Sequence, residues 1–405
     1  MSRLVWIGPR PRIALAYEGR GPLVLFLHGI GGNRRNWDGQ LEAVAAAGFR
    51  AAAWDARGYG DSDDYDGALN FADFAADLGR VLDHFDVPAA HLVGLSMGGL
   101  IAQDFYRRHP ARVLTLTLAD TRNVVQRHAN SDFLRTRQAP LLAGKTPAEI
   151  APALAKTIVG PKASPAALAR LVESLSALRT ESYLKAITAT TLMGETAPFD
   201  ALGAVVDLAT VAVPTLVICG ADDTVTPLQM SEQIARGIPG ARLAVIPDAG
   251  HLTNIEAPDA FNAALLGFLT GAAEGADRSA QHTLGMARRR QVMGTEYVDR
   301  AVTRVTPFTA DFQDFMVRVA WGEVWRRPGL DLRTRSCVTL ATLMALGRWE
   351  ELRLHLRGAL NNGLTPNEIS EVLMHGAIYS GFPAALSAFR IADEVIGAPN
   401  DEKER

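Results

Sequence analysis

A serine flanked by glycines near residue 96 could act as a nucleophile. The motif GLSMG at residues 94–98 follows an apolar run directly and precedes a helical pattern at 100–108. A strand, sharp turn and helix in this order hold the serine hydroxyl exposed at the tip of the turn. The sequence therefore predicts that Ser96 attacks an acyl carbon. A glycine-rich turn with an incidental serine is the alternative.

Residues that could activate this serine follow it in the chain. A serine hydroxyl needs a general base, and the base needs a carboxylate that orients it. In chains with this kind of turn the order is serine, acid, histidine. His251 follows the last strand-like run, and we predict that it is the base. Asp222 and Asp223 share the loop after the preceding run, and spacing alone does not separate them.

Backbone N–H groups must face the negative charge that forms on the attacked carbonyl. Met97, directly after the nucleophile, is predicted to supply one of them. Ile30, in the loop LHGIGG at residues 27–32, is predicted to supply the other. Arg34 stands where a dinucleotide-binding pattern would need its third glycine, so we predict no cofactor. His28 is interpreted as a residue that holds the loop.

An acidic cluster at residues 61–66 raises the question of a metal site. Its spacing does not fit a calcium loop, and the twelfth position is Ala72 where glutamate is needed. We therefore interpret the cluster as a solvated loop and predict no bound metal.

Buried strands and helices alternate in the first part of the chain. Continuous apolar runs separated by amphipathic segments favour a parallel sheet covered on both faces. The predicted strands cover residues 23–27, 51–54, 91–94, 113–118, 215–218 and 243–246. Between residues 121 and 213 the alternation stops and the pattern is helical, which indicates a cap over the edge of the sheet where ligands bind.

These features resemble the α/β-hydrolase family, and the prediction is an α/β-hydrolase domain at residues 1–270. The loop DARGYGDS at 55–62 supports the resemblance, and AGHLTNIEAP at 249–258 is similar to 3-oxoadipate enol-lactonases. The resemblance implies Asp223 as the acid, because it stands four residues before Pro227. The cap lacks the tryptophan expected in close lactonase relatives. Its Arg122, Arg135 and Arg137 could bind a substrate carboxylate or face solvent.

A second, all-helical domain is predicted at residues 286–397. The small, polar stretch at 271–285 is interpreted as a linker between the two domains. Breaks occur at Pro307, Pro328 and around residues 363–366 and 381–383. Thr365 and Glu368 are predicted to form a capping box at one helix start.

This second segment resembles the carboxymuconolactone decarboxylase family. The motifs that carry the resemblance lie at residues 297–300, 308–314, 321–325, 347–355 and 358–363. The resemblance implies a small helical fold that is usually oligomeric and decarboxylates without a cofactor. Cys337 is the one cysteine of this segment, so the dithiol chemistry of related proteins is not expected.

Decarboxylation of such a lactone needs groups that bind carboxylates and deliver a proton to carbon. Arg333 and Arg335 are predicted to bind carboxylates, because guanidinium groups bind them bidentately. Pairing with nearby acids at the surface is the alternative. Glu351 and His355 stand four residues apart, so they share a helix face and are predicted to form the proton-donor pair.

The two chemistries are consecutive, because decarboxylation would give 3-oxoadipate enol-lactone, which a serine hydrolase can open. The order of the segments matches bifunctional proteins of protocatechuate degradation. The prediction is therefore a bifunctional enzyme acting on small lactones. The alternative is another carboxylester or lactone hydrolase whose second domain serves only for oligomerisation.

Composition limits the other functions. The 405 residues exceed what one core usually serves, and the net charge of −3 gives no reason to expect nucleic acid as a partner. Two distant cysteines, and no apolar run that approaches a bilayer span, favour a cytoplasmic protein without membrane contact. The resemblance implies a homo-oligomer formed through the second domain.

Overall fold

The computed structural model describes residues 2–123, 132–196 and 205–397, without the side chains of residues 132–136, 191–196 and 276. The chain divides into two compact units, Met1–Ala272 and Ala273–Arg405. The strands of the first unit are β1 (Arg3–Ile7), β2 (Ile13–Gly19), β3 (Leu23–Leu27), β4 (Arg50–Trp54), β5 (Ala90–Leu95), β6 (Val113–Ala119), β7 (Thr215–Gly220) and β8 (Arg242–Ile246). Its helices are α1 (Asp38–Ala46), α2 (Phe71–His84), α3 (Met97–Arg108), α4 (Asp132–Leu142), α5 (Pro147–Ala155), α6 (Pro165–Ser176), α7 (Thr180–Thr196), α8 (Leu228–Gly237) and α9 (Thr253–Glu256).

The strands of the first unit form one sheet in the order β1-β2-β4-β3-β5-β6-β7-β8. Strands β3 to β8 pair in parallel, which confirms the six predicted strands. Strands β1 and β2 were not predicted, and they pair antiparallel with each other and with β4. Most residues of β1 are exposed, as suits an edge strand, although residues 4–7 form a short apolar run that was not predicted as a strand.

The parallel strands place several loops at one edge of the sheet. Carboxyl ends of parallel strands meet at the same edge. Strand β3 runs into the Ile30 loop, β5 into Ser96, β7 into the aspartate loop and β8 into the His251 loop. Residues that are far apart in the sequence are thereby brought together.

Helices α4 to α7 lie in the segment predicted to be a cap. Helix α5 begins with a capping box, in which Thr146 and Glu149 each bond the other's backbone N–H. Helix α6 begins at Pro165, and Ser164 caps it. The described part of this segment is helical, as predicted.

One long helix replaces the predicted linker. Helix α10 (Pro258–Met293) runs through residues 271–285, and the boundary between the two units falls within it. Each glycine in a helix interior costs only about 1 kcal/mol, and this stretch has no proline. Because helix formation is cooperative, the helical segments on both sides stabilise the helical conformation of residues 271–285.

The second unit is helical throughout the described residues. After α10 come α11 (Thr295–Val302), α12 (Ala310–Met316), a π-helical stretch (Val317–Glu323), α13 (Leu332–Ala345), α14 (Trp349–Asn361), α15 (Pro366–Ser380) and α16 (Phe382–Gly397). Helices α13 to α16 share an apolar core that includes Leu340, Leu356 and Leu373. Thr365 and Glu368 form the predicted capping box. No helix in the described ranges has the length and apolarity needed to cross a bilayer.

Candidate active sites

Ser96 occupies a strained turn between β5 and α3. Its φ of 54° lies in the left-handed region, which a non-glycine residue adopts at a cost. Gly94 and Gly98 allow this turn, because a side chain on Gly94 would collide with the Gly98 carbonyl and one on Gly98 with the Leu27 carbonyl. The glycine spacing of the motif therefore follows from how closely β3, β5 and α3 approach one another.

The structure brings Ser96, His251 and Asp223 into one hydrogen-bonded chain. The Ser96 Oγ lies 3.0 Å from His251 Nε2, and His251 Nδ1 lies 2.9 Å from Asp223 Oδ2. With its proton on Nδ1, the imidazole donates to the carboxylate and accepts from the serine hydroxyl. His251 can therefore take the serine proton while Asp223 holds the ring in place.

Asp223 is fixed by its own loop. The Val225 and Thr226 N–H groups donate to Oδ1 at 2.8 and 2.9 Å, and the Thr226 hydroxyl donates to Oδ2 at 2.7 Å. Burial alone would raise the pKa of Asp223, but the hydrogen bond and charge of His251, with the Thr226 bonds, lower it below its ordinary value. Asp222 is exposed, and the structure places Asp223 on the histidine.

The Ile30 loop is held by His28. His28 Nδ1 bonds the Gly29 carbonyl at 2.8 Å, and its Nε2 accepts from the Ala56 N–H at 3.1 Å. Ile30 lines the pocket that contains Ser96. Met97 is the first residue of α3, so its N–H has no acceptor within the helix and lies at the positive end of the helix dipole. The Met97 N–H is therefore a candidate donor to an oxyanion, and the contribution of Ile30 stays a prediction.

The pocket at Ser96 is mainly apolar. It encloses about 590 Å³, including the solvent at its mouth, and Ile158, Leu171 and Val225 form part of its wall. Among its described lining residues, Arg137 alone carries a permanent charge, and only 8% of this side chain is exposed. An acyl substrate suits an apolar lining of this kind, and Arg137 also interacts with another group of the chain.

Arg122, another cap arginine that could bind a carboxylate, is not among the described residues that line this pocket. Arg122 donates to the Thr190 carbonyl at 3.0 Å, and burial lowers its pKa. The side chain of Arg135 lies outside the described residues.

His355 of the second unit lies against two tryptophans. Its ring is nearly parallel to those of Trp321 and Trp325, with centroids 6.4 and 6.3 Å away. Burial lowers the pKa of His355, although the charge of Glu351 raises it in part. Glu351 is exposed on the same helix. No hydrogen bond or ion pair joins the two side chains within the described residues, so the proton-donor pair stays a prediction.

Known proteins resemble the two units separately. A family model described as alpha/beta hydrolase fold matches residues 22–258, and the carboxymuconolactone decarboxylase family matches residues 310–394. The 4-carboxymuconolactone decarboxylase of Acinetobacter baylyi is 49% identical over 111 residues, 27% of this chain and 83% of that protein. The chain belongs to both families. It joins a hydrolase domain to a decarboxylase domain, and no cofactor is expected for either.

Solved structures agree with the hydrolase assignment. A hydrolase from Pseudomonas aeruginosa is 32% identical with a TM-score of 0.56, covering 66% of this chain and 98% of that one. A thermophilic esterase from Thermogutta terrifontis, solved with malate bound, is 28% identical with a TM-score of 0.57 and covers 67% and 99%. The first domain therefore has the hydrolase fold, as predicted.

Two acidic residues that support the hydrolase site were not singled out from the sequence. Asp120 follows β6 with a φ of 44° and accepts from the Gly220 N–H and the Thr253 hydroxyl at 3.0 and 2.6 Å. Burial, and then the charge of Asp223, raise the pKa of Asp120 well above its ordinary value. Glu256 accepts from the N–H groups of Gly160 and Gly250, which ties the His251 loop to the cap segment. An acid directly after a buried strand was the available signal for Asp120.

Asp120, Cys219 and Asp223 come close enough to suggest a metal site. Their ligand atoms lie within 4.8 Å of one another. Burial raises the pKa of the Cys219 thiol to about 12, and Asp223 already holds His251. A thiol that keeps its proton is a poor ligand, so this cluster does not suit a metal ion.

The two arginines predicted to bind carboxylates in the decarboxylase domain are already bonded to protein groups. Arg333 donates to the Gly363 carbonyl and pairs with Glu368. Arg335 donates to the carbonyls of Leu330 and Arg327 at 3.2 and 2.8 Å. Arg333 thus pairs with an acid at the start of α15, which is the alternative role considered for it. Arg335 bonds carbonyl groups just before α13.

Proposed function

We propose that the chain catalyses two consecutive reactions of protocatechuate degradation. Its decarboxylase domain would convert 4-carboxymuconolactone to 3-oxoadipate enol-lactone, and its hydrolase domain would open that lactone to 3-oxoadipate. The main support for this proposal is that both domains occur in one chain. A domain whose relative is a 4-carboxymuconolactone decarboxylase is joined to one with a serine, histidine and aspartate in hydrogen-bonded sequence.

The hydrolytic step follows from the geometry around Ser96. His251 accepts the Ser96 proton as the Oγ attacks the lactone carbonyl, and Asp223 stabilises the imidazolium. The N–H groups of Ile30 and Met97 bind the oxyanion. Ring opening releases an enolate, which takes the proton of the His251 imidazolium and, once protonated at carbon, becomes a ketone. Water then attacks the acyl-enzyme with His251 as base and frees the second carboxylate.

The decarboxylation needs no external electron sink. When CO₂ leaves the ring carbon, its electron pair moves through the adjacent C=C into the lactone carbonyl and gives a dienolate. That anion then takes a proton at carbon. We assign proton delivery to His355 in its imidazolium form, which the charge of Glu351 favours against the effect of burial. The imidazole left after the transfer takes a proton back from solvent.

We also propose that the chain self-associates through the decarboxylase domain. Large apolar side chains are exposed there, among them Phe308 at 95%, Tyr379 at 80% and Leu386 at 73%. Exposed apolar area on this scale marks a protein interface. An oligomer would bury these side chains.

Arg137 is proposed to bind the free carboxylate of the lactone. Replacing it by glutamine (Arg137→Gln) should raise KM for the enol-lactone about tenfold or more, because a charge-assisted bond to the substrate is lost. The KM for a neutral ester such as phenyl acetate should stay unchanged. Steady-state kinetics on both substrates measure this, with Arg170→Gln on α6 as the control. An equal effect on both substrates would contradict the assignment.

The alternative is a different ester hydrolase whose decarboxylase-like domain serves only for oligomerisation. Supplying the purified chain with 4-carboxymuconolactone distinguishes the two functions. The proposal requires CO₂ release that depends on the enzyme. Absence of CO₂ release, with hydrolysis of simple esters retained, would support the alternative.

A further inference from the structure

The decarboxylase domain contains a polar pocket that is lined by arginines other than Arg333 and Arg335. It encloses about 620 Å³, including open solvent at its mouth. Its lining includes Arg289, Tyr297, Arg300, Arg304 and Gln313. Three guanidinium groups, a phenol and an amide therefore face one cavity.

Three consecutive helices build this pocket. Arg289 lies near the end of α10, Gln313 lies on α12, and the other three side chains lie on or just after α11. The three-residue spacing of Tyr297 and Arg300 places them on one face of α11, and Arg304 follows in the turn after the helix ends at Val302. The turn between α10 and α11 uses Gly294 at a φ of 88°, and an Arg290–Asp299 ion pair at 2.9 Å fixes α11 to α10.

The positive charge of the pocket is not compensated in the described part of the chain. Only 9% of Arg289 is exposed, and burial lowers its pKa, an effect that Tyr297 offsets in part. Within the described residues, the guanidinium groups of Arg289, Arg300 and Arg304 have no carboxylate partner. Burying the Arg289 cation without a partner costs free energy, and a bound ligand of opposite charge would offset that cost.

We propose that this pocket binds the carboxylates of the decarboxylase domain's substrate, an inference that rests on the proposed function. Guanidinium groups bind carboxylates bidentately, and Tyr297 and Gln313 can donate further hydrogen bonds. Helix α12 continues directly into the π-helical stretch that carries Trp321, which stacks on His355. The segment that supplies Gln313 to the pocket therefore also supplies Trp321, which contacts His355 of α14. Arg333 and Arg335, which bond protein groups, are not needed to bind the substrate carboxylates.

Kinetics of CO₂ release on the full-length chain test the proposal. Arg300→Gln and Arg304→Gln change exposed side chains, so both variants should fold. Each should raise KM for 4-carboxymuconolactone about 10- to 100-fold with a smaller change in kcat. Arg288→Gln removes the same charge from the neighbouring position, where Arg288 bonds Gln291, and should leave KM within about twofold. An unchanged KM in both pocket variants would overturn the assignment.

A binding measurement separates this proposal from the proposed function. Tricarballylate, a stable tricarboxylate, is titrated calorimetrically into the full-length chain and each variant. If the wild type releases no CO₂ yet binds tricarballylate, and both pocket variants lose that binding, the proposed substrate is wrong and the carboxylate site stands. Equal binding by variants and wild type, or no binding at all, would overturn the site. So would a change of oligomer mass in the pocket variants, measured by light scattering, because the arginines would then contact another copy.

Discussion

Replacing Ser96 by alanine should lower enol-lactone hydrolysis by about 10⁴- to 10⁶-fold while CO₂ release from 4-carboxymuconolactone continues at the wild-type rate. The hydroxyl is the attacking group, and His251 cannot activate a methyl group in its place. Any remaining rate comes from the oxyanion donors and from substrate binding. Enol-lactone should therefore accumulate when the variant is given the carboxylated lactone. Ultraviolet absorbance follows the enol-lactone, and CO₂ trapping follows the decarboxylation.

Two outcomes of this experiment would contradict the account. Hydrolysis within about tenfold of the wild type would show that Ser96 is not the nucleophile. Loss of both activities in a folded variant would show that the two reactions do not use independent sites. A thermal unfolding profile that matches the wild type is the control for folding.

Replacing Asp223 by asparagine should lower kcat for hydrolysis by about 10⁴-fold. The Val225 and Thr226 N–H groups hold the amide oxygen at the Oδ1 position, so the amide NH2 faces His251 Nδ1 and donates to it. The imidazole then carries its proton on Nε2, which can no longer accept from Ser96. Asp222→Asn is the matched control, because Asp222 is the adjacent, exposed aspartate of the same loop. We expect its kcat to remain within about twofold of the wild type.

This pair of variants decides which neighbouring carboxylate works with His251. The bonds from Val225 and Thr226 hold Asp223 toward the imidazole, so the two substitutions should differ by several orders of magnitude. A large loss in Asp222→Asn with a small loss in Asp223→Asn would reverse the assignment. Equal, small losses would mean that the histidine is oriented by another group, for which the Thr226 hydroxyl, 3.2 Å from His251 Nδ1, is the candidate.

The parts of the hydrolase domain that the sequence could predict are those with strong local patterns. Buried parallel strands appear as uninterrupted apolar runs, and the turn at Ser96 requires glycines at fixed spacing. Because these strands are parallel and adjacent, the loops that carry Ser96, Asp223 and His251 meet at one edge of the sheet. The support from Asp120 and Glu256 depends on contacts between distant loops. Such contacts leave no local pattern in one sequence.

In the decarboxylase domain the helices were predictable and the substrate contacts were not. The Thr365 capping box is a local pattern, and the structure contains it. Arg333 was a reasonable carboxylate ligand by residue type, but its guanidinium pairs with Glu368, 35 residues away. The linker prediction was wrong because its small residues extend a helix whose strength comes from the flanking segments.

The most direct test of the bifunctional assignment follows both steps on the intact chain. The purified protein is given 4-carboxymuconolactone, and CO₂ and 3-oxoadipate are quantified together. The account predicts one CO₂ and one 3-oxoadipate for each substrate consumed, with free enol-lactone appearing in quantity only when Ser96 is replaced. Consumption of the substrate without 3-oxoadipate, or failure to release CO₂, would contradict it.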